Sequence, residues 1–370
     1  MTNKMKKLLF LGGLNPGGAE HQMVVIATLL KKEGYDVSYL CNGDDDFYQK
    51  DLEMSGIPIL RIRESRLSSL LKLIIPRTTF LMRRILKQGG YDTVVSFIGL
   101  WNFENCFFAK KRGTQHKAIT GIRNNRNEIF LSSQEKFFNR FEKYADTIVS
   151  NSDNAKRVFA NYYSEYSSKL TTIYNIVDLP EIYTKYSIKR EGKLHIIVPA
   201  SYREVKNPMG LLNALVLMEA DERNQLQIDW YGDIKGVQSC YDQMVAFIDK
   251  NNLNDTIRLF DATTDIANKI NEADMVGLFS SSEGLPNSIC EGMMLGKPVV
   301  MTRVSDYDVL VDPTNGFLCD WDNPQSVREA LANAARLSDD DLLKMGQCSK
   351  NKAEALFSKE TILQQWKQII

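Results

Sequence analysis

The sequence predicts an α/β protein made of two domains, each with a parallel sheet. Three observations lead to this prediction. The chain has 370 residues, more than one hydrophobic core usually supports. Short apolar runs alternate with longer helical patterns, and this series occurs twice. An apolar fraction of 44% and a charged fraction of 25% are typical of a folded soluble protein and exclude a mainly disordered chain.

The first series of strands and helices covers residues 1–178. Its predicted strands are Lys7–Leu11, Asp36–Cys41, Thr93–Phe97, Lys117–Gly121 and Thr147–Ser150. Residues 19–33 form an amphipathic helix between the first two strands, because Met23, Ile26 and Leu30 fall on one face. Gly34 is expected to end this helix.

The second series covers residues 179–370. Its strands are predicted near His195–Pro199, Gln227–Gly232, Ile257–Phe260, Met275–Ser280 and Pro298–Thr302. The junction is expected between residues 175 and 192, where Pro180, a cluster of charges and Gly192 interrupt the pattern. Ligands of parallel sheets bind beyond the carboxyl ends of the strands, so we expect the chemistry in the loops that follow the strands.

Charge is distributed unevenly along the chain. Residues 1–180 carry 26 basic and 18 acidic residues, and the remainder carries 20 and 28. A basic half fits an anionic partner such as acidic lipid or a phosphorylated acceptor, although such asymmetry can serve solubility alone. No apolar stretch approaches the roughly 18 residues of a membrane-spanning helix. The six cysteines are scattered without a C-x-x-C pair, which favours reduced thiols in a cytoplasmic protein.

A glycine-rich loop follows the first predicted strand and leads into a helix. Its sequence is Gly12-Gly13-Leu14-Asn15-Pro16-Gly17-Gly18. Glycines let a ligand approach backbone N–H groups at a helix N-terminus, whose partial positive charge suits phosphate. The spacing matches neither G-x-G-x-x-G nor a P-loop, and a turn without a ligand is the alternative.

After the strand at residues 275–280, one glutamate precedes a predicted helix start and another follows it. Glu283 lies in the loop, and Glu291 lies in the first turn of a helix expected to start near Ser288. The backbone N–H groups of residues 287–289 lie between the two carboxylates. Such a pocket can accept hydroxyl groups on both sides of a diphosphate, which describes a nucleotide sugar. The alternative for Glu291 is a capping box with Ser288.

This segment resembles the E-x7-E motif of GT-B glycosyltransferase family 4, in the setting S-x-x-E-G-x-P. The resemblance extends from residues 17–20 through the segment 175–178 to Gly316. It implies two Rossmann-like domains that face each other across a cleft. Residues 1–178 would bind the acceptor and residues 179–370 the nucleotide sugar, with the last helix, around residues 361–367, returning toward the N-terminal domain.

The resemblance also implies residue roles. It places Glu283 at the donor sugar and Glu291 at the ribose hydroxyls. The catalytic residues predicted from it are Glu283 and Lys206, together with Arg203 as a substitute for the family's arginine. The nucleotide-sugar-binding residues that it implies are Gly17, Gly18, Gly284, Leu285, Pro286, Asn287, Ser288 and Glu291.

The sequence departs from the family at the expected G-R-x-x-x-x-K motif. Ser201 stands where the arginine is expected, and Arg203 follows two positions later. Arg203 and Lys206 lie in one short loop and have long side chains, so both can still neutralise a departing diphosphate. The alternative is that Arg203 pairs with Glu204 or with solvent.

Other charged clusters suggest an acceptor site but no metal site. Arg123 and Arg126 follow the fourth predicted strand and are candidates for binding an acceptor phosphate, although exposed loop arginines are often plain surface. The run of aspartates at residues 44–46 fits a solvated acidic loop better than a metal site. We predict neither a metal nor a cofactor.

Residues 61–87 contain eight basic residues and one acid, interleaved with apolar residues. Such a segment suits a helix on an anionic membrane, and the alternative is a packed helix with a solvated basic side. We expect a cytoplasmic enzyme, in peripheral contact with the inner face of the cell membrane, and no nucleic-acid partner.

The predicted function is retaining, metal-independent transfer of a sugar from a nucleotide diphosphate sugar, most simply UDP-linked, to a glycan or lipid-linked acceptor in cell-surface polysaccharide biosynthesis. Two alternatives remain at this point. One is a nucleotide-sugar 2-epimerase on the same architecture, and the other is a non-catalytic subunit that binds nucleotide sugars.

Overall fold

The computed structural model describes residues 5–15, 17–42, 44–62, 77–111, 114–123, 133–179, 192–234 and 237–370. The chain divides into two compact units. Unit 1 contains Met1–Ile176 and Glu360–Ile370, and unit 2 contains Val177–Lys359. Each unit is an α/β domain around its own sheet, which confirms the predicted fold class.

Unit 1 is built on a seven-stranded parallel sheet in the order β3-β2-β1-β4-β5-β6-β7. The strands are β1 Lys7–Leu11, β2 Asp36–Asn42, β3 Ile59–Ile62, β4 Thr93–Ser96, β5 Lys117–Ile122, β6 Thr147–Ser150 and β7 Leu170–Thr172. Residues of β1 such as Leu8 and Phe10 are fully buried, as expected of a central strand covered on both faces.

The helices of unit 1 lie between these strands. They are α1 Gly18–Lys32, α2 Gln49–Met54, α3 Arg77–Gly89, α4 Gly99–Cys106, α5 Ser133–Asn139 and α6 Asp153–Tyr162, with a π-helical segment at Phe107–Lys111 and 3-10 turns at Glu142–Tyr144 and Ser164–Lys169. In α3, Met82 and Leu86 are buried in the core, whereas Arg83, Arg84 and Lys87 are exposed. The described part of the basic segment is therefore a packed helix with a solvated basic side, and residues 63–76 lie outside the described residues.

Unit 2 is built on a six-stranded parallel sheet in the order β10-β9-β8-β11-β12-β13. The strands are β8 Leu194–Pro199, β9 Leu226–Gly232, β10 Ile257–Asp261, β11 Met275–Leu278, β12 Val299–Thr302 and β13 Gly316–Cys319. The helices are α7 Pro208–Leu217, α8 Ala220–Arg223, α9 Gln238–Lys250, α10 Ile266–Glu272, α11 Asn287–Met294, α12 Tyr307–Leu310, α13 Pro324–Ala335 and α14 Asp339–Phe357, with a 3-10 turn at Glu204–Lys206.

The last helix, α15 Lys359–Ile369, packs on the core of unit 1. Trp366 is 1% exposed and its ring lies 5.8 Å from that of Phe97 at the end of β4. Lys6 Nζ donates to the carbonyl of Ile370 at 2.8 Å. The end of the chain thus completes the first unit. Among the described residues, none of the helices combines the length and apolarity needed to cross a bilayer.

Candidate functional site

The carboxyl end of the unit 2 sheet brings Lys206 and Glu283 together across 77 positions of sequence. Lys206 follows β8 and Glu283 follows the neighbouring strand β11. Lys206 Nζ donates to Glu283 Oε1 at 2.6 Å, and Ser280 Oγ donates to the same oxygen at 2.6 Å. The two charged side chains are 23% and 12% exposed, so the pair is only partly screened by solvent. One lysine and one carboxylate are thereby held in a fixed arrangement at the sheet edge.

The Lys206 loop, residues 200–207, is anchored by hydrogen bonds to the sheet. Tyr202 is fully buried, and its hydroxyl donates to the carbonyls of Trp230 and Phe260 at 3.0 and 2.8 Å. A Cβ at Gly232 would lie 2.2 Å from the carbonyl oxygen of Ala200. Only glycine therefore fits at this position of β9, where the strand passes the Lys206 loop. These contacts fix the backbone from which Lys206 extends.

Asn207 closes the Lys206 loop in a left-handed conformation, with φ 54°. Its amide donates to the carbonyls of Phe279 and Trp321 at 3.1 and 2.8 Å. Ser281 strengthens the link, because its backbone N–H and its hydroxyl both donate to Val205. Sequence reasoning missed these positioning residues, although the pair Asn207-Pro208 is itself a signal for a turn before a helix.

Arg203 and Ser201 lie in the same loop but play no visible part in the ion pair. Arg203 is exposed and precedes the 3-10 turn, and no described residue pairs with its guanidinium. The alternative pairing with Glu204 is therefore absent among the described residues, and the other alternative, an arginine in solvent, fits its exposure. Arg203 is available to a ligand, whereas Ser201 offers no charge at the family's arginine position.

Glu291 lies in α11, and no described residue forms a hydrogen bond or ion pair with its carboxylate. Burial raises the pKa of this carboxyl to about 7. Desolvation is the sole cause of this shift, so no cation among the described residues compensates the charge. A half-buried carboxyl without a partner is what a site for hydroxyl groups requires before its ligand binds.

The start of α11 differs from the prediction near Ser288. The helix begins at Asn287, Pro286 is the N-cap residue, and no side chain caps it. Ser288 is thus inside the helix, and the capping box with Glu291 does not form. The N–H group of Ile289 donates to the carbonyl of Pro286 at 3.1 Å, so this amide is not available to a ligand as predicted. Beyond Glu283, the Gly284 carbonyl accepts a hydrogen bond from the Ser305 hydroxyl, which holds this loop against the segment after β12.

Comparison with known proteins assigns both units. The family of glycosyl transferases group 1 matches residues 181–352, and glycosyltransferase family 4 matches residues 16–181. The chain is a family 4-like GT-B glycosyltransferase. No curated protein sequence matches the glycosyltransferase.

Solved structures show the same fold. Anabaena Alr3699/HepE in complex with UDP has a TM-score of 0.81 at 18% identity, covering 98% of this glycosyltransferase and 99% of that chain. A glycosyltransferase from Rickettsia africae has a TM-score of 0.78 at 18% identity, with 99% and 98% covered. The lipopolysaccharide outer core galactosyltransferase WaaB has a TM-score of 0.76 at 15% identity, with 98% of each chain covered.

The glycine loop of the glycosyltransferase lies in unit 1, whereas the other predicted donor residues lie in unit 2. Gly17 is the N-cap residue of α1 and Gly18 its first residue, while Pro16 lies outside the described residues. A Cβ at Gly17 would lie 2.2 Å from Glu20 Oε2, so a carboxylate already lies over this helix N-terminus. The role of Gly17 and Gly18 in binding phosphate stays a prediction.

Of the two predicted acceptor residues, Arg123 lies among the described residues. Arg123 directly follows β5, and its Nη1 donates to Asn175 Oδ1 at 3.3 Å. Arg126 lies outside the described residues. Within the described parts of the glycosyltransferase, no group of three or more His, Cys, Asp or Glu side chains could hold a metal ion.

The pH dependence of the stability of the glycosyltransferase is expected to show that the Glu291 carboxyl is desolvated. The folded-state pKa of the Glu291 carboxyl, about 7, exceeds its ordinary value of 4.5. The contribution of this group to the free energy of unfolding is therefore fully present below pH 4.5 and is lost as the pH rises through 7. Glu291→Gln should therefore raise the unfolding free energy by about 1–3 kcal/mol at pH 8, and the difference should vanish near pH 5. Thermal melts at both pH values measure it. An equal or lower melting temperature at pH 8 would contradict the desolvated state of Glu291.

Proposed function

We propose that this glycosyltransferase moves a sugar from a UDP-linked donor to a hydroxyl of a glycan or lipid-linked glycan, with retention of configuration and without a metal. The Lys206–Glu283 pair at the carboxyl edge of the unit 2 sheet carries the proposal. In this pair, Lys206 supplies a cation for the diphosphate and Glu283 supplies a carboxylate for the sugar, from two loops that are hydrogen-bonded to each other. The assignment to cell-surface polysaccharide biosynthesis rests on the family resemblance.

In the proposed reaction, the bond between the anomeric carbon and the phosphate oxygen breaks as the acceptor oxygen bonds to that carbon. The acceptor proton passes to an oxygen of the donor phosphate. Lys206 and Arg203 stabilise the negative charge on the departing diphosphate, aided by the N-terminus of α11. Glu283 lies beside the sugar, where positive charge develops in the transition state.

Nucleoside binding is assigned to the remaining donor residues. Glu291 would accept hydrogen bonds from the ribose hydroxyls, which is consistent with its unpaired carboxyl. The backbone of residues 284–288 would approach the sugar and phosphates. The predicted role of Gly17 and Gly18, which lie in unit 1, is to offer backbone N–H groups to phosphate.

Three solved structures of two relatives support a nucleotide-sugar donor. Alr3699/HepE has been crystallised with UDP and with UDP-glucose, and Staphylococcus aureus TarM with UDP. Because their sequence identity to this chain is at most 19%, they suggest UDP as the first ligand to test and leave the sugar open.

A thermal-shift screen of nucleotide sugars, followed by incubation with the best donor alone, tests the proposal. A ligand at 100 times its dissociation constant stabilises by about 2.7 kcal/mol, which a melt detects readily. Slow release of free sugar supports a transferase. Formation of a new nucleotide sugar without acceptor would identify a 2-epimerase, and binding without any turnover would identify an accessory subunit.

We also propose a cytoplasmic location with peripheral contact to an anionic membrane. Since Met82 and Leu86 are buried, the described part of the contact would rest on the charges of α3, chiefly Arg83, Arg84 and Lys87. Co-sedimentation with phosphatidylglycerol vesicles tests it. Arg83→Glu/Arg84→Glu should sediment less than the wild type, and equal sedimentation would contradict the contact.

A further inference from the structure

Arg123 lies at the carboxyl edge of the unit 1 sheet, where the loops after β4, β5 and β7 meet it. Its guanidinium carbon is 3.6 Å from the centroid of the Phe97 ring, directly after β4. Its Nη1 donates to Asn175, which is 7% exposed. Stacking on the ring and this hydrogen bond set the direction of the planar cation.

Among the described residues, no carboxylate compensates the charge of Arg123. No described carboxylate pairs with the guanidinium, and its Nε is buried without a hydrogen-bond partner. Burial lowers the pKa of Arg123 to about 9, with desolvation as the sole cause. A guanidinium has five N–H donors, and Asn175 satisfies only one. Such a cation is costly to keep unless an anion pairs with it.

A second unsatisfied polar group lies next to Arg123. Ile122 pairs with Ser150 in the sheet register, so Arg123 and Asn151 leave the sheet side by side. The Asn151 backbone N–H donates to the Ile122 carbonyl at 3.3 Å. The Asn151 side chain is 6% exposed and its Oδ1 is buried without a partner. Two adjacent strand ends therefore both present polar groups whose hydrogen bonds remain to be made.

We propose that Arg123, with Asn151 beside it, binds an oxyanion of the acceptor, a phosphate or a carboxylate, so that the enzyme selects an acidic acceptor. This inference rests on the proposed transferase function. Both groups offer paired oxygens that match the planar guanidinium. The unpartnered Asn151 Oδ1 is an acceptor and can bind a hydroxyl group next to the anion.

Binding of small anions to the UDP-saturated protein tests this assignment, since the proposed function places UDP on the cations of the Lys206 loop. Methyl phosphate and glucuronate, titrated separately, distinguish a phosphorylated acceptor from a uronic acid. The wild type should bind at least one of them saturably. Arg123→Gln should weaken that binding by about 10- to 100-fold, whereas Arg140→Gln, which removes an exposed arginine of the same unit, should leave it unchanged.

Melting temperatures separate this role from a structural one. Loss of an uncompensated cation should not lower the melting temperature of Arg123→Gln, and Arg123→Lys should retain part of the anion affinity. Equal anion binding by wild type and Arg123→Gln, or no binding of either anion by the wild type, would overturn the assignment. Anion binding through Arg123 in a protein that does not bind UDP would contradict the proposed donor and leave the anion site standing.

Discussion

Replacing Glu283 with glutamine is expected to slow hydrolysis of the sugar donor by about 100- to 1,000-fold while changing UDP affinity little. The glutamine keeps the shape of the side chain but removes the charge beside the breaking glycosidic bond. It also releases Lys206 from its partner at 2.6 Å. Because the lost interaction strengthens only as positive charge builds on the sugar, the rate should fall more than the affinity.

Glu204→Gln is the matched control for Glu283→Gln. Glu204 is an exposed carboxylate in the Lys206 loop, two positions from the lysine. Its replacement should leave both the hydrolysis rate and UDP affinity near the wild-type values. An undiminished rate in Glu283→Gln, or an equal loss in both variants, would contradict the role of Glu283.

Glu291→Gln is expected to weaken UDP binding by about 10- to 100-fold, because hydrogen bonds to a charged group contribute about 1.5–3 kcal/mol. The ribose hydroxyls change little during the reaction, so the loss should appear in KM and not in kcat. Calorimetric titration with UDP measures it. At pH 8, Glu291→Gln should therefore bind UDP more weakly than the wild type and melt at a higher temperature.

Glu104→Gln provides the control for this second prediction. Burial also raises the pKa of the Glu104 carboxyl to about 7, but Glu104 lies in α4 of unit 1. Its replacement should stabilise the protein at pH 8 without altering UDP affinity. An unaltered UDP affinity in Glu291→Gln would remove Glu291 from the ribose site.

The central strands could be predicted from the sequence because both of their faces are buried. The bounds of β1 and β6 agree with the prediction, and those of β2, β4 and β5 differ by one residue. The edge strands β3 and β13 and the short β7 were not predicted. Their residues are largely half-buried, so they lack the continuous apolar run that identifies a central strand.

The sequence predicted individual residues of the site but not the contacts between them. The two glutamates follow from the motif, but the contact between Lys206 and Glu283 depends on β8 and β11 being neighbours in the sheet. The helix α11 begins at Asn287, one residue before the predicted start near Ser288, and no side chain caps it. For Arg123, the sequence was equally compatible with an exposed surface residue and with a residue that binds phosphate. Only the structure shows that its Nε is buried without a hydrogen-bond partner and that no described carboxylate pairs with it.

Titration of UDP into the wild type and Lys206→Met by calorimetry tests whether the loops after β8 and β11 form the donor diphosphate site. The methionine keeps the length of the side chain, removes the cation and leaves the Glu283 carboxylate to repel the diphosphate. Saturable binding at one site per chain, weakened at least about tenfold in the variant, is the predicted result. Equal UDP affinity in both proteins, or no binding by the wild type, would contradict it.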